Sequence, residues 1–382
     1  MDITPILQHL VKIVIGVFAS IIAVIGSLQL APLPAPASVP TNEPAVTAVE
    51  VSTTTKPANQ TTATKPSTKP VSTPAVVETP AVKPTAPIQQ RPQAMALSAE
   101  ALNTIARSSI VNILCTTLTG GAFKPISGSG VMIDSRGVIL TNAHVAQFFL
   151  LRNYVRPNNI DCVVRTGSPA TNMYRAELLY LPTAWIDANA SQITSSEAIG
   201  TGENDFAFLR VTGPYNPTKT LPDSIPHLTM SSAQVDIGDY MLLAAYPAGF
   251  LSGELITTQL YASSAFAYVT QLFTFDDNKS VDLFSVGGSV ASQSGSSGGA
   301  VVRDNGSLAG IISTAILTGA TNQRDLRAVS INYIDRALVV QGQGGITGLL
   351  SGDIAAKAAD FNATTAPKET AKLEAVLNAA TR

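Results

Sequence analysis

Charge is scarce in this sequence. Charged residues fill 13% of its 382 positions, about half the roughly 25% of ordinary soluble domains. The 24 Lys+Arg and 26 Asp+Glu leave a formal charge of −2. Without a basic excess nothing is available to neutralise a phosphate backbone, which argues against nucleic acid as a partner. Two cysteines and three histidines, scattered along the chain, do not form a zinc cluster of the four-cysteine or the two-cysteine, two-histidine type. Long apolar runs are missing too, with one exception, so a polytopic membrane protein is excluded. No repeat of fixed period is visible.

The exception is residues 13–30, IVIGVFASIIAVIGSLQL, 18 positions without a charge. A run of this length crosses most of a bilayer core as a helix. Lys12 precedes it and no basic residue follows until Lys56, a bias that keeps the N-terminus cytoplasmic and sends the rest outside. Residues 1–30 therefore read as a membrane anchor. A signal peptide cleaved near Ala35-Pro36-Ala37, giving a secreted protein, is the alternative, although its apolar core would exceed the usual length of roughly 7–15 residues. A buried core helix is the third reading. Both membrane readings export everything downstream.

Residues 31–95 hold 13 of the 24 prolines and 12 threonines, and no Phe, Tyr or Trp. Such a segment cannot bury enough apolar surface to offset its ordering entropy, and it reads as a disordered linker. Its Thr/Lys-Pro steps favour extended stretches and forbid helix. The expected role is a stalk between a membrane and a domain.

The pattern changes near residue 96. Ser98 caps a short predicted helix, SAEALNTIAR. Short β-branched or aromatic runs follow, separated by turn residues: Ile110–Cys115, Val131–Ile133, Val138–Thr141, Cys162–Arg165, Phe206–Val211, Tyr240–Ala245 and Leu308–Thr314. Asp134-Ser135-Arg136-Gly137 reads as a hairpin turn. The class is all-β, a barrel or sandwich. Residues 96–345 make the domain, and 346–382 form an Ala-rich helical tail with Pro367 near the start of its last helix.

Three segments carry chemistry: SGSGVMIDSRGVILTNAHV with His144, GENDFAFLRV with Asp205, and SGSSGGAVV with Ser297. A serine hydroxyl is a weak nucleophile at neutral pH and needs a base within hydrogen-bond reach, usually imidazole. The imidazole needs a buried carboxylate on its other nitrogen to fix its tautomer. Glycines around the serine let a tight loop aim N–H groups, here those of Gly295 and Ser297, at the oxyanion of a tetrahedral intermediate. His9 precedes the apolar run and His227 lies in a proline-containing loop, so His144 is the base candidate. Asp187 and Asp161 rival Asp205, but neither opens an apolar strand as cleanly.

These motifs resemble the trypsin-like serine peptidase superfamily, and most closely its HtrA (Deg-type) branch. The entry stretch SIVNILCTT and the closing GIISTAI and AVSINYIDRAL are similar to that branch as well, so the likeness spans about residues 105–345. It implies a chymotrypsin-like fold of two six-stranded antiparallel β-barrels with a C-terminal helix. His144, Asp205 and Ser297 would meet in the cleft between the barrels, with no cofactor and no metal. Ser296 stands where the family usually has Asp or Asn, which argues against activation by a newly cut N-terminus. The tail leaves no room for the PDZ domain that relatives of this branch often carry. Protein or peptide substrates are implied, as is membrane contact through residues 13–30. A homo-oligomer is compatible, since relatives often form trimers.

By the same resemblance, Ala291, Ser292, Ser313 and Ala315 line the pocket for the residue before the scissile bond (P1), with Ala328 as a further wall. None is charged, so burial of Lys or Arg there is not offset, and small or medium apolar P1 residues are expected. Ala291 and Ala315 as plain packing residues are the alternative. Cys115 and Cys162 both fall in predicted strands of an exported region, where two thiols usually pair; two buried free thiols are the other outcome. The competing function is a catalytically silent binding or adaptor module on the same fold.

Overall fold

The strand-forming runs build two antiparallel sheets. The computed structural model describes residues 97–118, 126–195, 200–275, 279–316 and 324–380, with the side chains of 314–316 outside that description. The apolar run 13–30 and the linker 31–95 lie outside the described residues. Among those described, no helix is long and apolar enough to cross a membrane.

Helix α1 (Ala99–Ser109) opens the domain, capped by the Ser98 hydroxyl, which accepts from the Ala101 N–H at 3.1 Å. Six strands follow: β1 (Ile110–Thr117), β2 (Ile126–Asp134), β3 (Val138–Thr141), β4 (Ile160–Thr166), β5 (Thr171–Tyr180) and β6 (Ala207–Pro214). They close into a barrel in the order β1-β2-β3-β6-β5-β4. Ile110, Ile113, Val131, Ile139, Leu178 and Phe208 are among its fully buried side chains, so apolar burial holds it together. The 134–137 turn joins β2 to β3 as expected, with the Gly137 N–H donating to the Asp134 carbonyl at 3.0 Å.

The second sheet has seven strands in the order β8-β7-β11-β12-β13-β10-β9. They are β7 (Tyr240–Ala245), β8 (Ser263–Tyr268), β9 (Gln271–Phe273), β10 (Leu283–Ser285), β11 (Ala300–Arg303), β12 (Leu308–Ile316) and β13 (Asp325–Ser330). This corrects the expected second closed six-stranded barrel. The edge strands β8 and β9 are neighbours in sequence, separated by Val269 and Thr270. The sheet therefore curls until the chain itself passes from one edge to the other, and no ladder joins those edges. Val269, Val281, Phe284, Val301, Ile312 and Ala328 fill the enclosed space.

Cys115 and Cys162 face each other directly across the β1–β4 pair and form a disulfide with Cα atoms 4.0 Å apart. The bridge closes a loop over a sequence separation of 47. Loop-closure entropy for that length gives about 4 kcal/mol. Changing both cysteines to serine lowers the thermal midpoint measured by calorimetry; an unchanged midpoint would show that the bridge adds nothing to stability.

Helix α2 (Ala143–Ala146) follows β3, α3 (Thr183–Asn189) follows β5, and α4 (Gly253–Thr258) lies between β7 and β8. After β13 come α5 (Ile331–Val340), α6 (Gly345–Leu350), α7 (Ile354–Thr364) and α8 (Ala366–Ala380). The last two return to the first barrel. Asn362 donates to the Leu178 carbonyl at 2.8 Å and Thr370 to that of Leu150 at 3.0 Å. Lys372 pairs with Asp187 and Glu369. Ile354, Phe361, Leu373 and Leu377 are buried at this contact, and Pro367 sits in the first turn of α8, where its missing N–H costs nothing.

Candidate active site

His144, Asp205 and Ser297 are carried by three separate segments. β3 ends at Thr141, and the short α2 turns the chain so that the His144 ring stands 28% exposed. Asp205 precedes β6 and is 4% exposed. Its carboxylate accepts from the His144 backbone N–H at 3.0 Å and pairs with His144 Nδ1 at 2.9 and 3.1 Å. Asn142 donates its side-chain amide to the Asp205 carbonyl at 2.8 Å, tying the two loops together. Of the rivals to Asp205, Asp161 pairs with Arg175 and Asp187 with Lys372.

Ser313, on β12, joins this pair from the second sheet. Its hydroxyl donates to Asp205 Oδ2 at 2.6 Å, and its carbonyl accepts from the Ser297 hydroxyl at 3.5 Å. One residue thus touches both the carboxylate and the serine, which brings the three sequence candidates into a single locality. No hydrogen bond links Ser297 Oγ to the His144 ring among the described residues. The hydroxyl has to turn from the Ser313 carbonyl toward Nε2 before a proton can pass, a contact that often tightens only with substrate bound.

The loop carrying Ser297 is held close to the first barrel. The Ser129 N–H, on β2, donates to the Ser297 carbonyl at 2.7 Å. The Ser129 hydroxyl donates to the Gly295 carbonyl at 2.7 Å and accepts from the Tyr246 N–H at 2.9 Å. At Gly298, φ is +84° and a Cβ would stand 2.0 Å from the Ser129 carbonyl oxygen, so only glycine allows this approach. Gly295 has φ +90°, with the Tyr246 carbonyl 2.8 Å from where a Cβ would be. The N–H groups of Gly295 and Ser297 donate to no acceptor among the described residues. Two unengaged donors beside a serine are what an oxyanion would need. Ser296 is buried, its hydroxyl without a partner among the described residues.

Burial disfavours charge on His144, but attraction to the Asp205 carboxylate and the hydrogen bond to it outweigh that penalty, and the ring's pKa rises above the ordinary 6.5. Burial likewise pushes Asp205 up, yet His144, Ser313 and the His144 backbone N–H together hold its pKa below the ordinary value. The pair is a charged carboxylate hydrogen-bonded to an imidazole at Nδ1, which leaves Nε2 clear of the carboxylate.

Ala291 and Ser292 are buried, as is Ala328. The Ser292 hydroxyl accepts from the Ser289 N–H, and its carbonyl accepts from Arg324 at 2.6 Å. Ser313 turns its hydroxyl to Asp205, a role that its assignment to the pocket wall did not include. Ala315 pairs with Leu326 in the sheet. Sequence reasoning missed Ser129, Asn142 and Arg324. The small-residue alternation SGSG around Ser129 was the one available signal.

Residues 128–311 match the family model described as trypsin-like peptidase domain. Over these residues the chain is similar to a trypsin-like peptidase domain, and it is a serine endopeptidase. The match runs from β2 into β12 and takes in His144, Asp205 and Ser297, ending two residues before Ser313. Among solved structures, the Rv3671c protease from M. tuberculosis in its active form is 17% identical, over 68% of this chain and 93% of that one, with a TM-score of 0.39. The serine endoprotease from Yersinia pestis is 18% identical, over 65% of this chain and 66% of that one, also with a TM-score of 0.39. No curated protein matches the sequence.

Ser313→Ala gives a peptidase domain whose Asp205 has lost a charge-assisted donor. A drop in kcat of about tenfold is expected, measured on a fluorogenic peptide; unchanged kcat would make the Ser313 contact incidental.

Proposed function

We propose that the protein is a membrane-tethered, extracytoplasmic serine endopeptidase of the HtrA branch, acting on flexible segments of protein substrates. Ser297 attacks the scissile carbonyl. His144 takes the hydroxyl proton through Nε2 and returns it to the leaving amine. Asp205 fixes the ring and stabilises its cation. The Gly295 and Ser297 N–H groups hold the oxyanion. The observation that carries this reading is the junction at Ser313, whose hydroxyl meets Asp205 while its carbonyl meets Ser297.

Export is supported by the Cys115–Cys162 bridge, since disulfides persist in oxidising compartments. In this reading residues 1–30 anchor the chain, 31–95 form the stalk and 96–345 are the peptidase domain followed by the helical tail. N-terminal sequencing of the mature protein distinguishes anchor from cleaved signal. Purified full-length protein in detergent is expected to digest an unstructured protein such as casein, and the Ser297→Ala form to leave it intact. Digestion by neither form would favour the silent adaptor.

Small or medium apolar P1 residues, such as Val, Ala or Leu, fit the walls at Ala291 and Ala328. Arg324 adds a reason that sequence reasoning did not have: its guanidinium already holds the Ser292 carbonyl, so a Lys or Arg entering there meets like charge. Profiling with a peptide library is expected to return apolar P1 residues; a strong Arg or Lys preference would contradict it.

A further inference from the structure

Asp205 sits on a loop whose shape is unusual. Asn204, just before it, has φ +55°, a left-handed conformation that asparagine adopts more readily than other side-chain-bearing residues. Its contacts hold it there. The Asn204 N–H donates to the Tyr333 hydroxyl on α5 at 3.0 Å. Its side-chain oxygen accepts from Gln341 Nε2 at 2.9 Å. Gln341 follows directly on α5 and is itself fixed at the other end: its Oε1 accepts from the Tyr180 hydroxyl, on β5, at 2.6 Å. Burial pushes the Tyr180 phenol up to about 12, so it stays a neutral donor at working pH. Its ring lies 6.0 Å from that of Phe361 on α7.

A continuous path therefore leads from the C-terminal helices through Tyr180 and Gln341 to Asn204, and on to the carboxylate against His144. We propose that Gln341, braced by Tyr180, is a positioning residue: it holds Asn204 in its left-handed turn and thereby sets Asp205 against the imidazole. The role makes the C-terminal helices part of the catalytic apparatus of this chain, and it rests on the reading of Asp205 and His144 given above. Tyr180 and Gln341 also stand in the wall of an open cleft of about 670 Å³, together with Gln343, Lys357 and Asp360. Water can reach either partner when the other is removed, so substitution leaves no buried orphan and the fold should survive.

The test compares wild type with Gln341→Ala and Tyr180→Phe in the full chain, ¹³C-labelled at its three histidines. The pKa of His144 is read by NMR and kcat and KM on a peptide substrate. Asp205 is the charged group acting on the His144 ring among the described residues; once it shifts away, the pKa falls and the acid limb of kcat/KM moves to lower pH. Gln341→Ala is expected to lower kcat about tenfold with KM unchanged and to lower the His144 pKa. Tyr180→Phe should move both in the same direction by less. A His144 pKa and kcat unchanged in the folded variants overturn the proposal, and if Gln341→Ala does not fold, Tyr180→Phe decides alone. A fall in thermal midpoint with no change in the pKa would mean a merely structural contact and also overturns it. The NMR reading stands even if wild type cleaves nothing, so failure of the peptidase reading is distinguishable from failure of this one.

Discussion

Ser297→Ala lowers kcat by about 10⁵–10⁶-fold and leaves KM within a few-fold of wild type. The hydroxyl is the one atom removed, and among the described residues its one hydrogen bond is the 3.5 Å bond to the Ser313 carbonyl. The loop itself is held by backbone bonds, Ser129 N–H to Ser297 O at 2.7 Å and Gly298 N–H to Ile312 O at 2.7 Å, which alanine keeps. The Gly295 and Ser297 N–H donors also remain, so substrate binding and some transition-state stabilisation persist over the uncatalysed rate. Steady-state kinetics on a peptide substrate check this. A variant retaining more than about a hundredth of wild-type kcat would place the nucleophile elsewhere.

Asp205→Asn lowers kcat by about 10⁴-fold and moves the acid limb of kcat/KM downward. The carboxylate accepts from Nδ1 and so leaves Nε2 free of a proton and ready to act as base. An amide can present N–H to Nδ1, which puts the ring proton on Nε2, where it blocks proton uptake from Ser297. The sign of the pH effect follows from the balance on His144. In wild type the attraction of Asp205 outweighs the cost of burial and raises the pKa above 6.5, so activity is lost as pH falls through that raised value. Without the charge, burial alone remains and pushes the pKa below its ordinary value. A pH profile of kcat/KM for both forms checks this; an acid limb at the same pH would show that Asp205 does not govern the ring.

Much of this site could be read from the sequence because its parts are local. The β2–β3 hairpin is announced by alternation around Asp134–Gly137, and histidine is so rare that His144 stood out. The glycines of Gly295–Gly299 mark a loop that no other residue could form, as the 2.0 Å approach at Gly298 shows. What escaped depends on partners distant in sequence. Ser313 lies 108 positions from Asp205, and nothing local tells a hydroxyl aimed at a carboxylate from one lining a pocket. The disulfide depended on the register of β1 against β4, which sets Cys115 opposite Cys162. The second sheet closes through a chain bend at Val269–Thr270, not a ladder, and strand counting does not distinguish the two. The tail was legible as helix, but its apolar positions do not say which barrel they cover.

The most direct test of the convergence of serine, imidazole and carboxylate is to treat the full-length protein with a fluorophosphonate and map the adduct by mass spectrometry. Stoichiometric modification of Ser297, rising with pH as His144 loses its proton and abolished in His144→Ala, is the predicted result. An adduct on another residue, or none at any pH, would contradict it.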